Sequence, residues 1–115
     1  MPLLKLETSV AMTEATQKPL LSALSKAVAG AIGKPEQYVM VSATAAKMLM
    51  SAKEGAAAFV DIRSIGGLSD DVNQRLSKEI TKLIGDSLGI APDRVFLNFT
   101  DVRGANWGWN GSTLA

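Results

Sequence analysis

Residues 58–100 read AFVDIRSIGGLSDDVNQRLSKEITKLIGDSLGIAPDRVFLNFT, and the fold is decided there. Val60 and Ile62 alternate with Asp61 and Arg63, the period-2 pattern of a strand over residues 58–65 with one buried face. Gly66-Gly67 ends that strand. Ser69 is a good helix N-cap, Asp70 and Asp71 place negative charge at the positive end of the helix dipole, and Val72, Leu76, Ile80, Leu83, Ile84 and Leu88 fall on one helical stripe. Gly89 closes the helix. Residues 94–100 return to a period of two, with Val95, Leu97 and Phe99 on one face and Phe96, Asn98 and Thr100 on the other. The stretch is a strand, a helix and a strand.

Working outward, the first half repeats the order. Leu4, Leu6 and Thr8 alternate with Lys5 and Glu7, a strand. Leu20, Leu21, Leu24, Val28, Ala31 and Ile32 then recur at helical steps within residues 13–32. Pro19 suits only the first turn of a helix, because deeper in it removes a backbone hydrogen bond, so the regular helix is expected to begin as late as Lys18. Gly33 ends it and Pro35 blocks its continuation. Residues 38–43, Tyr-Val-Met-Val-Ser-Ala, read as a strand apolar on both faces at its centre and therefore covered on both. Residues 45–55 carry no clear period. After residue 100 comes a Gly/Asn-rich tail with Trp107 and Trp109.

The two halves also correspond in sequence. Leu24-Ser25-Lys26 answers Leu76-Ser77-Lys78, and Pro35 and Pro92 stand 57 residues apart in a chain of 115. A duplicated β-α-β unit follows, with pseudo-repeats over about 1–55 and 56–115 in a single domain: an α+β fold of one four-stranded mixed sheet with two helices on one face. The opposite face of such a sheet is bare. In a chain this short, its expected cover is another copy of the same chain in a closed ring.

Composition narrows the chemistry. The chain has no Cys and no His, which excludes a disulfide framework, a thiolate nucleophile, a Ser-His-Asp triad and the usual zinc ligand sets. Twelve basic and eleven acidic side chains give a net charge of +1, too little for broad attraction to nucleic acid. No apolar stretch approaches the roughly 20 residues of a membrane span, and Lys5 and Glu7 interrupt the place where a signal peptide would be apolar. The expectation is a cytoplasmic protein with no nucleic-acid or membrane partner, no metal and no cofactor.

The sequence resembles the macrophage migration inhibitory factor family and its tautomerase relatives over its full length. The resemblance is carried by Met1-Pro2, Gly33-Lys34-Pro35 with Gln37-Tyr38, Ser64-Ile65-Gly66, Ser77-Lys78, Pro92-Asp93-Arg94-Val95, Asn98, and Ala105-Asn106-Trp107-Gly108-Trp109-Asn110 with Ser112-Thr113. It implies a homotrimer and keto-enol tautomerisation of a small 2-keto acid such as phenylpyruvate, or a dopachrome-type isomerisation. In that chemistry Pro2, freed by removal of Met1, is the general acid and base. While Met1 remains, the Pro2 nitrogen is an amide without useful basicity. Lys34 would pair with the substrate carboxylate or carbonyl oxygen, Ile65 would offer its backbone N–H, and Asn98, from an adjacent subunit, would donate a hydrogen bond to the developing enolate. Tyr38, Phe96, Trp107 and Leu114 would wall the pocket.

The chain departs from the family pattern in several places. Phe96 stands where animal members have a tyrosine, Leu114 where they carry a bulky aromatic, and Trp107 where a smaller residue is usual. Ala57-Ala58-Phe59-Val60 occupies the place of a Cys-x-x-Cys segment, so thiol oxidoreductase chemistry does not carry over.

Plainer readings stand beside these. Lys34 suits a cation at a helix C-terminus, and Asn98 suits a structural hydrogen bond. Gly66-Gly67 reads as an ordinary turn rather than a phosphate loop, since Asp70 and Asp71 would repel an anion. The two Asp are helix caps rather than magnesium ligands, and the two Trp are core or interface residues. Two other functions fit the same element order. One is a homotrimeric signalling or interaction protein with incidental catalysis and an unidentified receptor. The other is a ferredoxin-like regulatory or RNA-binding domain, against which stand the missing paired aromatics and basic flanks.

Overall fold

Alternation along β1 (Leu3–Thr8) turns Leu4, Leu6 and Thr8 into the interior and leaves Lys5 and Glu7 exposed. The computed structural model describes residues 1–115. In it β1 pairs with β2 (Met40–Ala45) on one side and β3 (Ala58–Ser64) on the other, and β4 (Val95–Asp101) completes a sheet of order β2-β1-β3-β4. The outer pairings are parallel and the central one antiparallel, with Leu4 opposite Ile62 and Leu6 opposite Val60. Two β-α-β units therefore meet at the centre of one mixed sheet.

Each parallel pair is bridged by a helix of 19 residues, α1 (Glu14–Ile32) and α2 (Asp70–Leu88). Leu20, Leu24 and Val28 of α1 and Leu76, Ile80 and Ile84 of α2 close over Leu4, Leu6, Val60 and Ile62 in one core, so both helices cover the same face. Burying each such side chain is worth about 1.5–3 kcal/mol. That gain holds the layers together. Ser69 caps α2 by accepting from the Val72 N–H at 3.2 Å, and Gly33 and Gly89 end the helices in the left-handed conformation at φ 76° and 69°.

The start of α1 differs from the sequence expectation. The helix begins at Glu14 rather than near Lys18, capped by Thr13, whose Oγ1 accepts from the Thr16 N–H at 3.2 Å. Pro19 lies in its second turn. The hydrogen bond it forgoes would have ended on the carbonyl of Ala15, and both residues are exposed, so water can satisfy that carbonyl. The buried stripe that starts with Leu20 outweighs the local preference.

The second strand also differs. Residues 36–38 form a 3-10 turn, and β2 begins only at Met40. It is an edge strand, and just one of its faces is covered. Val41 and Ala43 pack on the core, whereas Met40 on the opposite face is 67% exposed. In the other half Arg94 belongs to the 3-10 turn Pro92–Arg94, and the strand runs one residue beyond Thr100.

The stretch without a period, residues 45–55, holds a two-residue turn in which Met50 and Lys53 exchange backbone hydrogen bonds across Ser51 and Ala52, at φ 55° and 59°. The Arg94 guanidinium ties it down through the carbonyls of Met50, Lys53 and Ala56 at 2.7–3.2 Å. After β4 the tail makes a 3-10 turn (Gly104–Asn106) and a small hairpin, β5 (Gly108–Trp109) with β6 (Ser112–Thr113). The hairpin returns Leu114 to the body, where its N–H donates to the carbonyls of Gly104 and Trp107 at 3.1 and 3.0 Å. No helix is long and apolar enough to cross a membrane.

Candidate active site

The beginning of β1 lies beside the beginning of β2, and the Met40 N–H donates to the Pro2 carbonyl at 3.0 Å. Pro2 is buried. The same end of the molecule receives three further segments. The C-terminus of α1 delivers Lys34 just past the glycine that stops the helix, and the 3-10 turn after Pro35 delivers Tyr38. The turn after β3 delivers Ile65, and the tail delivers Trp107 and Leu114.

Two adjoining cavities result. One, of about 400 Å³, is walled by Pro2, Tyr38, Met40, Trp107 and Trp109, and the other, of about 320 Å³, by Lys34, Tyr38, Ile65 and Leu114. Met1 and Tyr38 border both. Met1 therefore borders both the cavity of the proline and that of the lysine.

The electrostatics at this point are those of an amine partly withdrawn from water. The Met1 ammonium titrates below its ordinary value of 8.0, first because burial strips solvent from the charged form and second because the Lys34 cation repels it. Ile65 supplies a donor that the fold has not used. Its N–H makes no hydrogen bond in the turns and loops of the chain. A partly desolvated amine, a cation and the residue with a free N–H border one cavity. No group of acidic side chains is placed to hold a metal ion.

Six of the sequence-predicted residues, Pro2, Lys34, Tyr38, Ile65, Trp107 and Leu114, thus come together within one chain. Phe96 and Asn98 do not join them. Both lie on the bare face of β4, at the far edge of the sheet from β2, with Phe96 62% exposed. Asn98 Nδ2 donates to Asp61 Oδ1 at 3.1 Å and to Thr100 Oγ1 at 2.8 Å, and the Arg63 guanidinium also binds Asp61, at 2.9 Å. In the single chain Asn98 has the structural role that its residue type allowed.

Sequence reading missed Trp109 and Met40. Trp109 meets Tyr38 edge to face, with ring centroids 6.3 Å apart and planes at 88°. Its signal was the pair of indoles two residues apart in an otherwise small-residue tail. A larger cavity, about 620 Å³, lies at the other end of the sheet between Ser9, Ala46, Lys47 and Glu54. It contains no amine terminus and only exposed charges, so size does not mark the chemistry here.

Comparison with known proteins bears on the family and the fold. The family model described as macrophage migration inhibitory factor matches residues 1–115. A macrophage migration inhibitory factor from Meriones unguiculatus is 36% identical over 116 residues, covering 100% of both chains. Among solved structures, a homologue from Prochlorococcus marinus superposes at TM-score 0.93 with 36% identity, over 98% of this chain and 99% of that one. A macrophage migration inhibitory factor-like protein from Entamoeba histolytica does so at 0.93 with 32% identity, over 97% of each chain. With a whole-length family match, full-length relatives and a shared two-helix, four-strand architecture, the chain belongs to the macrophage migration inhibitory factor family.

Proposed function

We propose that the protein is a keto-enol tautomerase of small 2-keto acids, with the secondary amine of Pro2 as its acid-base group once Met1 is removed. The observation that carries this is the place of the amine terminus, at a cavity that Lys34 and Ile65 also line, where the Met1 amine is partly withdrawn from water and titrates below its ordinary value. Removing Met1 takes away a residue that borders both cavities and frees the Pro2 nitrogen at the edge of the first of them. The Pro2 nitrogen takes the proton from C3 of the 2-keto acid, and the electron pair of that C–H bond moves to form the C2–C3 double bond of the enol. The carbonyl oxygen gains the charge and then a proton. The reverse passage returns the proton to carbon, so no co-reactant is consumed.

Lys34 attracts the substrate carboxylate, and the unengaged Ile65 N–H meets the oxygen on which charge develops. Such donors are most effective when they are already aimed and shielded from water. Tyr38, Trp107 and Leu114 form apolar walls suited to an aryl side chain, which makes phenylpyruvate the first substrate to try. Phe96 and Asn98 reach the site only from a neighbouring subunit. The exposed Met40, Phe59 and Phe96 give the bare face an apolar surface for such a neighbour to cover, and a homotrimer would bring the two residues to the site.

Intact mass to establish removal of Met1, followed by an enolisation assay on the same sample, tests the reading. Turnover of phenylpyruvate that is lost in Pro2→Gly is the expected result, and turnover unaffected by that substitution removes Pro2 from the mechanism. A second reading, an interaction protein whose catalysis is incidental, draws on the name of the relatives, which refers to an effect on cells. It predicts a cellular effect that survives Pro2→Gly.

A further inference from the structure

Ile65 is a loop residue, and loop residues make poor fixed donors unless something holds them. Here the end of β4 does so. The Val102 N–H donates to the Ser64 carbonyl at 2.8 Å, and the Gly66 N–H donates to Asp101 Oδ1 at 3.0 Å. The fully buried Ser64 closes the turn, its Oγ donating to the Gly66 carbonyl at 2.7 Å. The first two bonds fall on the peptide planes on either side of Ile65, and the third on the plane that follows Gly66.

The geometry of the peptide unit does the rest. A trans peptide is planar, and its N–H points opposite to its C=O. The Ser64 carbonyl and the Ile65 N–H belong to one such plane. A carbonyl held by Val102 therefore aims the Ile65 N–H away from β4, and Ile65 itself borders the cavity of Lys34 and Met1. The next plane, which carries the Gly66 N–H, is fixed by the carboxylate of Asp101. Gly66 and Gly67 follow with φ of 72° and 79°, and glycine has the widest backbone freedom of any residue. Without the bonds from β4, local preference would not keep this turn in one shape.

We propose that Asp101 is a positioning residue which, acting through the Gly66 N–H and together with Ser64, holds the Ile65 N–H where it meets the enolate oxygen. The inference rests on the tautomerase reading above. Asp101 is exposed, so shortening its side chain uncovers no core, and the bond it accepts is charge-assisted, which makes it one of the stronger constraints on the turn. Its influence is on the transition state. A donor aimed at developing charge affects turnover, while the carboxylate of the substrate is still held by Lys34.

The test uses full-length protein lacking Met1. With phenylpyruvate, Asp101→Ala is expected to lower kcat about tenfold while KM moves by less than about twofold, the pattern of a misplaced oxyanion donor. Asp101→Asn should regain most of kcat, because its amide oxygen can accept the same bond. In substrate-free protein, exchange of the Gly66 and Val102 amides, the two N–H groups bonded across this turn, should quicken in the Ala variant and stay near wild type in the Asn variant. Wild-type kcat in Asp101→Ala, no recovery in Asp101→Asn, or unchanged amides in the Ala variant would each overturn the proposal. If the wild type itself does not turn over phenylpyruvate, the tautomerase reading and the catalytic half of this proposal fall. The clamp on Ile65 then stands or falls on the amide exchange alone.

Discussion

The Met40 N–H donates to the Pro2 carbonyl at 3.0 Å, one residue before the parallel ladder of β1 and β2 begins with Leu3 opposite Met40. Pro2 is thereby fixed through its carbonyl side, as an extension of the sheet, and the residue borders the cavity. An acid-base group held in this way needs no loop closure to find its place. Pro2→Gly should keep the ladder and lose the rigid secondary amine, so turnover of phenylpyruvate is expected to fall by about 10²–10⁴ with native circular dichroism. Protein that retains Met1 should be similarly inactive, measurable by assaying fractions separated by intact mass.

Lys34 is expected to act on the amine as well as on the substrate. Its charge disfavours the protonated amine, so Lys34→Met should raise the amine pKa and move the acidic limb of kcat/KM to higher pH, besides raising KM. NMR titration of the substrate-free protein separates the two effects. In the form that keeps Met1, the lowered amine pKa has a consequence for stability. Between the folded value and 8.0 the unfolded chain binds more protons than the folded one, so stability rises with pH across that window. Urea titrations on both sides of the window should show this rise, and it should shrink in Lys34→Met.

Gly104 sets how closely the tail can approach. A Cβ there would collide with the Leu114 carbonyl, lying 3.0 Å from its carbon atom. Gly104→Ala should push Leu114 outward and loosen the wall it forms, raising KM for phenylpyruvate several-fold with little change in the pH profile. Side-by-side kinetics with a smaller 2-keto acid such as pyruvate check this, since a substrate without a ring should be affected less.

If Asn98 serves a neighbour's site, Pro2→Gly chains and Asn98→Ala chains are each impaired alone, yet hybrids formed by mixing them contain sites that are whole. Mixing after mild dissociation should restore activity well above the sum of the two. Sedimentation should report a trimer before and after. A monomer at micromolar concentration, or no recovery on mixing, counts against the shared site.

Ile62 is fully buried under both helices at the centre of the sheet. Ile62→Ala should cost about 2–5 kcal/mol of stability, read from urea unfolding.

Much of this architecture is legible in the sequence because its segments obey one period each. The stripe from Val72 to Leu88 and the face of Val95, Leu97 and Phe99 both turn to the core, with Leu76, Ile80, Ile84 and Val95 buried and the others partly buried against it. The start of α1 was hidden because Pro19 speaks against a helix locally, and only the tertiary burial of Leu20 and Leu24 overrules it. The turn at Ser51 and Ala52 lacks the Asn-Gly or Asp-Gly pair that usually announces left-handed residues, and its support comes from Arg94, far away in sequence. At the site, Pro2, Lys34 and Ile65 were readable as a set only through their spacing along the family pattern. No local period links a strand's beginning, a helix's end and a turn. Met40 and Trp109 escaped because each joins the cleft through chain reversals that leave no periodic trace.

Gly67 lies so near the end of α1 that a Cβ on it would fall 2.5 Å from Ile32 Cγ2 and 2.9 Å from the Ile32 carbonyl oxygen. The chain thus enters its second helix by leaning on the exit of its first. Although the two halves echo each other, each borrows part of its surface from its twin. Severed between Ala45 and Ala58, neither fragment should hold its shape alone, while the two together should still find each other across the seam of β1 and β3.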